Sequence, residues 1–426
     1  MTRLGILAGG GRLPLMIADS VGARGGHVHI VAIEGAADPD IARFPHTWVN
    51  LGQIGRIVAT LSAEGRNELV IAGHVRRPDL RTIRPDAGFF TSLPQVFSLL
   101  AGGDDSVLSR VVRFFEAKGL TVRGAHEVAP DLLADAGQIG AVALSPGDHA
   151  DAMLGFAVRA ALGSLDAGQA VAVADGRVLA IEGAEGTDAM LERVAALDRG
   201  QSGRRGVLTK GPKPGQELRV DMPAIGPRTI ERAVAARLAG VAVEAGAVLM
   251  LDRDEAVRAA NAHGCAIAGL SSPGIAGPGR AVFAHVEGRV VGRARPGMRD
   301  RADIASGVTA VARLGRFDTG SAVVVARAHI LAFAAAETVT AMLERVGSLR
   351  QWGTHRKRRL GVLVCRADNA SDVQTLHHVI MAAARQGLSG IAVAGPPHAL
   401  AAYADMCRLA DAQGLFLVTC RAGDEG

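Results

Sequence analysis

Aromatic residues are scarce in this chain: eleven phenylalanines, two tryptophans and one tyrosine among 426 residues. Binders of single-stranded nucleic acid stack bases on aromatic faces, so that class is disfavoured, and the cores must be built from Ala, Val, Leu and Ile. Cysteine is equally sparse. Cys265, Cys365, Cys407 and Cys420 form no CxxC pair and no metal-type cluster, which argues against disulfides and for the reducing cytoplasm. No charge of one sign dominates. The 47 basic and 42 acidic residues leave a net charge of +5, suited to an anionic ligand or a glancing contact with an anionic membrane, and not to duplex DNA. The most apolar run, Leu238 to Leu251, is interrupted by Glu244 and is shorter than the about 20 residues a membrane span needs. No signal peptide is visible, since Met1 leads directly into a strand-like segment with Arg3 as its only basic flank. A soluble protein is expected.

What is present is material for packed cores, with 49% hydrophobic and 21% charged residues, and length for two to four domains. Leu4 to Ala8 reads as a strand, Gly9-Gly10-Gly11-Arg12 as a glycine turn, Leu13 to Ala23 as a helix and His27 to Ile33 as the next strand. That order opens a parallel α/β unit. A dinucleotide fingerprint fails here, because its third glycine would fall on Pro14. A glycine turn before a helix still suits an anion such as a nucleotide phosphate, and Arg12 would assist. Arg76 and Arg77 follow the strand Leu69 to Ala72, at the edge where open α/β sheets bind ligands. Phe89, Phe90 and Phe97 read as core, or as a surface for an acyl chain or membrane interface. Asp104 and Asp105 either cap the helix they start or form a site for a hard cation or sugar hydroxyls.

From about Gln138 the chain repeats itself. Leu162 to Leu197 aligns with Leu314 to Leu349 at a constant offset of 152, with 19 of 36 positions identical. The match resumes at Gly206-Val207-Leu208 with Gly361-Val362-Leu363, and at Gly240 to Val243 with Gly390 to Val393. A unit of this size is a duplicated domain, not a solenoid repeat. Glu185, Glu192 and Arg193 recur as Glu337, Glu344 and Arg345 and read as scaffold. The losses carry more information. Glu182 becomes Ala334, Gly186-Thr187-Asp188 becomes Thr338-Val339-Thr340, and Lys210 becomes Cys365. The second copy thus keeps the packing and sheds the polar set.

Lys210 opens the stretch KGPKPGQELRVDMPAIGPRTI, which runs to Ile230 and whose segment KPGQELRVDMPAIGP has no counterpart in that copy. Its four prolines exclude an interior helix, and only Glu217 to Met222 reads as a short strand. The remainder is expected to be a stiff loop that presents Lys210, Lys213, Gln216, Arg219 and Asp221.

Six separated motifs now form a pattern: LGILAGGGRLP, LGQIG, AGHVRRP, GDDSVLSRVVRFFEAKG, EGTDAMLERV and the stretch above. Over residues 1 to 272 the chain resembles the LpxI family, the UDP-2,3-diacylglucosamine pyrophosphatases of lipid A biosynthesis. The resemblance implies an α/β protein with a Rossmann-like N-terminal domain (1–135), a catalytic α/β domain (136–272) and a degenerate duplicate of the latter (285–426). It implies hydrolysis of the pyrophosphate to UMP and 2,3-diacylglucosamine 1-phosphate, with Mg²⁺ or another divalent cation, in the cytoplasm and peripheral to the inner membrane at most. The family's QxxRxDxP pattern puts its central aspartate at Asp221, with Lys210 and Arg219 as catalytic companions. This chain has Gln216-Glu217 where the family often has Gln-Asp. Gly10, Gly11, Arg12, Arg76, Asp104, Asp105, Thr187, Asp188, Lys213 and Gln216 are then substrate-binding candidates, and Asp221 and Asp188 metal-ligand candidates. The expected partner is a UDP-linked acylated glucosamine and not nucleic acid, and a homo-oligomer is compatible. The alternative is a non-catalytic nucleotide-sugar or lipid-binding regulator on the same fold.

Overall fold

A computed structural model describes residues 2–75, 83–91, 104–163, 165, 167–197, 200, 203–272, 288–290, 292–349, 359–366, 373–395 and 403–420. The chain forms two units. The first comprises Met1–Asp135, Gln216–Pro227 and Ala245–Val257; the second comprises Ala136–Gly215, Arg228–Glu244 and Arg258–Gly426.

In the first unit, runs of Val, Ile, Leu and Ala give five parallel strands: β1 (Arg3–Ala8), β2 (His27–Ile33), β3 (His46–Val49), β4 (Glu68–Ala72) and β5 (Thr121–Arg123). Their order is β3-β2-β1-β4-β5. Near-continuous apolar strands of this kind are buried on both faces, and β1 is buried from Leu4 to Ala8. The helix Leu13–Ala23 stands where the sequence places it, and a second helix spans Ile54–Ala63. Phe90 departs from the core reading, being exposed beside Phe89; Phe97 lies outside the described residues.

The second unit holds two six-stranded sheets of the same topology. The first runs Gly137–Gln138, Ala266–Leu270, Gly240–Glu244, Val207–Lys210, Ala170–Ala174, Arg177–Ile181. The second runs Gly288–Val290, Phe416–Cys420, Gly390–Ala394, Val362–Arg366, Ala322–Ala326, His329–Ala334. Even the irregularities coincide, with a register shift at Ala172/Val173 and another at Val324/Val325. A buried aspartate supports the hairpin turn in each copy: Asp151 accepts from the amides of Asp175 and Gly176, and Asp303 from those of Arg327 and Ala328.

The two copies pack through a pseudo-two-fold interface. Val158, Leu162, Val171 and Ile181 share one apolar cluster with Ile304, Val308, Val323 and Phe333. The Ala184 amide donates to Leu331 O at 3.0 Å, and the equivalent Ala336 amide donates to Leu179 O at 3.3 Å. Around these bonds sits a four-membered ionic ring. Arg193 bonds Glu185 at 2.6 Å and Glu337 at 3.3 Å, while Arg345 bonds Glu337 at 2.6 Å and Glu185 at 3.2 Å. The residues that both copies retain are those by which the copies hold each other.

Candidate functional site

Lys210 ends the strand Val207–Lys210 and is 9% exposed, so its ammonium needs a partner inside the fold. It donates to Thr187 Oγ1 at 3.0 Å, and that hydroxyl donates to Glu182 Oε1 at 3.1 Å. Thr187 belongs to the first turn of the helix Gly186–Ala195. Glu182 follows the strand Arg177–Ile181 and is buried; its second carboxylate oxygen has no hydrogen-bond partner. Burial pushes the Glu182 carboxyl above its ordinary value, against the opposing charges of Lys210 and Lys213. This chain of groups is an assembled polar site at the carboxyl edge of the sheet.

A second buried network lies on the same domain. Arg159, 1% exposed, bonds Glu244, the Pro212 carbonyl and, at 3.3 Å, Ser272 Oγ. Burial lowers the Arg159 pKa and Glu244 opposes that shift. The guanidinium thus pins the proline-containing segment Gly211–Gly215 just after Lys210. A Cβ on Gly211 would come within 2.8 Å of the Arg159 guanidinium carbon and of Glu244 Oε2, so a side chain there would displace the ends of that pair.

Gln216–Pro227 of the stretch belongs to the first unit. Glu217 to Met222 is a turn and not the short strand expected, because Val220 N and Asp221 N both donate back to Glu217 O. Strand pairing begins only at Ala224–Ile225, against Leu249–Met250, and a helix starts at Pro227, where proline is tolerated in the first turn. Within this turn Gln216 Nε2 donates to Asp221 Oδ2 at 2.6 Å. Arg219 makes a two-bond fork with Glu217, both bonds 2.8 Å, and reaches Glu116 at 2.7 Å. The bond to Glu217 raises the Arg219 pKa, and Arg219 lowers that of Glu217. The glutamate that departs from the family pattern therefore orients the arginine.

Other candidates are committed elsewhere. The Gly10 amide donates to His74 O at 2.7 Å and His74 N returns a bond to Gly10 O, so that amide is not presented to a ligand. Gly11 adopts φ +91°, open to glycine. Arg12 is exposed and bonds Asp252 at 2.8 Å. Asp188 is held by Arg228 at 3.0 Å and Arg232 at 3.5 Å. Asp104 and Asp105 start the helix Asp104–Glu116, with side chains outside the described set, and Arg76 lies outside the described residues. Among the described residues no group of three or more His, Cys, Asp or Glu side chains gathers to hold a metal.

Arg159 and Glu244 are site residues that sequence reading does not select, and Glu182 stands out there only as a residue the duplicate loses. The duplicate held the signal. Glu182, Thr187 and Lys210 become Ala334, Val339 and Cys365, and Arg159 and Glu244 become Val311 and Ala394. The strand register confirms the first pairing, since Ala170 faces Lys210 in one copy and Ala322 faces Cys365 in the other. Each network is lost whole.

Comparison with known proteins follows the same division. Residues 3–132 match the LpxI N-terminal domain, and residues 135–268 and 287–418 each match the LpxI C-terminal domain. A protein of Caulobacter vibrioides named UDP-2,3-diacylglucosamine pyrophosphatase LpxI is 42% identical over 274 residues, covering 63% of this chain and 98% of that one. Among solved structures, CobK precorrin-6A reductase gives a TM-score of 0.24 at 13% identity over 65% of this chain and 90% of its own. A murein peptide ligase from Psychrobacter arcticus gives 0.21 at 10% identity, over 98% and 90%. Scores that low bear on neither fold nor activity. With the N-terminal domain matched once and the C-terminal domain twice, the chain belongs to the LpxI family.

Proposed function

We propose that this protein hydrolyses the pyrophosphate of UDP-2,3-diacylglucosamine, giving UMP and 2,3-diacylglucosamine 1-phosphate. The observation that carries the reading is the 42% identity to the Caulobacter vibrioides pyrophosphatase across 98% of that protein's length. The buried Lys210–Thr187–Glu182 chain supports it, because a lysine fixed at the carboxyl edge of a sheet is placed to offset phosphate charge.

In this reaction a water oxygen bonds to one phosphorus, the bridging P–O bond breaks, and the water's proton passes to a base. Lys210 and Lys213 offset charge on the phosphate oxygens. Arg219, oriented by Glu217, contributes a third cation. Asp221 is the carboxylate assigned to the attacking water, held in orientation by Gln216. Magnesium is commonly bound by one or two carboxylates together with substrate phosphates, a role for which Asp221 is suited. When bound, the ion supplies further neutralisation of the developing phosphate charge. Among the described residues no helix is long and apolar enough to cross a membrane. We place the activity in the cytoplasm, with the substrate's acyl chains presented from the inner-membrane surface.

The test is release of UMP from UDP-2,3-diacylglucosamine by the purified protein with Mg²⁺. Asp221→Ala is expected to abolish release while circular dichroism and substrate binding persist. Absence of product from the unaltered protein at high concentration would instead favour a non-catalytic binder.

A further inference from the structure

The third domain contains a cavity of about 570 Å³, within the range of roughly 300–1,000 Å³ typical of small-molecule pockets. It opens at the carboxyl edge of the second sheet. Thr319 and Ser321 line it just before the strand Ala322–Ala326, Thr338 and Thr340 line it at the start of the helix Val339–Leu349, and Arg366 lines it at the end of Val362–Arg366. His378 completes the polar wall. Two carboxylates also face it: Glu337, bonded by Arg345 at 2.6 Å, and the exposed Asp318.

This wall is not a remnant of the first copy. Ala167, Gly186 and Gly211 there correspond to Thr319, Thr338 and Arg366 here, so three positions have gained polar groups. The arginine was exchanged in concert with its surroundings. At Gly211 a side chain would displace the ends of Arg159 and Glu244; with Val311 and Ala394 in their places, the same position carries Arg366. Thr319 adds an independent mark. It is 5% exposed and its hydroxyl has no hydrogen-bond partner, an arrangement that is unfavourable unless something satisfies it.

We propose that the third domain binds a small phosphate-bearing ligand with several hydroxyl groups, a sugar phosphate by chemical class, in this cavity. The guanidinium of Arg366 offers a planar fork that matches a phosphate. The first turn of an eleven-residue helix favours the same negative charge. Thr319, Ser321 and Asp318 supply donors and acceptors for hydroxyls. The domain that lost one polar set has acquired another.

Hydrogen–deuterium exchange on the full chain, with glucose 1-phosphate and inorganic phosphate as probes, tests this. Glucose 1-phosphate is expected to slow exchange over residues 318–321 and 338–341, and to bind more tightly than inorganic phosphate. Arg366→Gln is expected to weaken it about tenfold or more, as for loss of a charge-assisted contact. Thr340→Val serves as a second, less intrusive variant, and UMP release is expected to be unchanged in both. Protection absent from these segments, protection unchanged in both variants, or equal affinity for the two probes would overturn the proposal.

Discussion

Lys210 Nζ lies 3.0 Å from Thr187 Oγ1, and every atom that this contact depends on is missing from the second copy. The copy shows that the scaffold accepts an apolar set at these positions: Ala334 and Cys365 are buried among Leu331, Leu363 and Val393. The domain therefore does not need the network in order to fold.

That comparison sets the first prediction. Lys210→Met alone leaves the Thr187 and Glu182 oxygens buried without the ammonium and is expected to destabilise by about 1–3 kcal/mol. The triple variant Glu182→Ala, Thr187→Val, Lys210→Cys reproduces the copy's set and is expected to recover most of that loss, because a half-satisfied network is worse than none. Both are expected to lose UMP release. Urea titrations of the single and triple variants check the ranking; a triple variant less stable than the single would refute it.

Glu182 also sets a pH dependence. Burial raises its folded pKa above the ordinary 4.5. The folded form thus binds the proton more tightly than the unfolded chain, so this group's stabilisation is complete below 4.5 and is lost as pH rises through the folded value. Glu182→Gln removes the term. The stability of the unaltered protein relative to Glu182→Gln is expected to fall with rising pH across this window, as followed by denaturation midpoints at stepped pH. A relative stability of the unaltered protein that rose with pH would contradict the assignment.

Asp188 separates two roles that sequence alone left together. Its carboxylate already faces Arg228 and Arg232 and is half exposed. Asp188→Asn is expected to change stability by about 1 kcal/mol or less, and to leave the Mg²⁺ concentration for half-maximal UMP release within about twofold. Asp221→Asn is expected to abolish release. A large shift in metal requirement on Asp188→Asn would mark it as a ligand.

Much of the architecture was legible because the repeat runs without a gap from Leu162 to Leu197, so apolar positions in both copies declare the same strands and helix. Pairing was not. Glu185 and Arg193 read as scaffold with Glu337 and Arg345 as their duplicates, but a sequence pattern carries no information on which of two similar surfaces will meet. Glu217–Met222 alternates like a strand, yet the Glu217–Arg219 fork and the bonds to Glu217 O close it into a turn. Glu182, Arg159 and Glu244 each interrupt an apolar run and look like breaks when taken singly. Their joint absence from the copy was the readable mark.

The pseudo-two-fold interface yields the last prediction. A surface that joins two homologous domains through reciprocal contacts is nearly self-complementary, since Glu185 and Arg193 occur on one side and Glu337 and Arg345 on the other. The Caulobacter vibrioides relative consists of little beyond the matched 274 residues, so a chain ending near residue 272 retains the domains that such a protein has. Removing the third domain uncovers Val158, Leu162, Val171 and Ile181 together with one half of the ionic ring. The shortened protein is expected to pair with itself through this face and to sediment as a dimer. Arg193→Glu in the shortened chain is expected to break the dimer by setting like charges against each other in the ring. A shortened chain that sediments as a monomer, soluble and fully active, would show that the duplicate does not stand where a second subunit would.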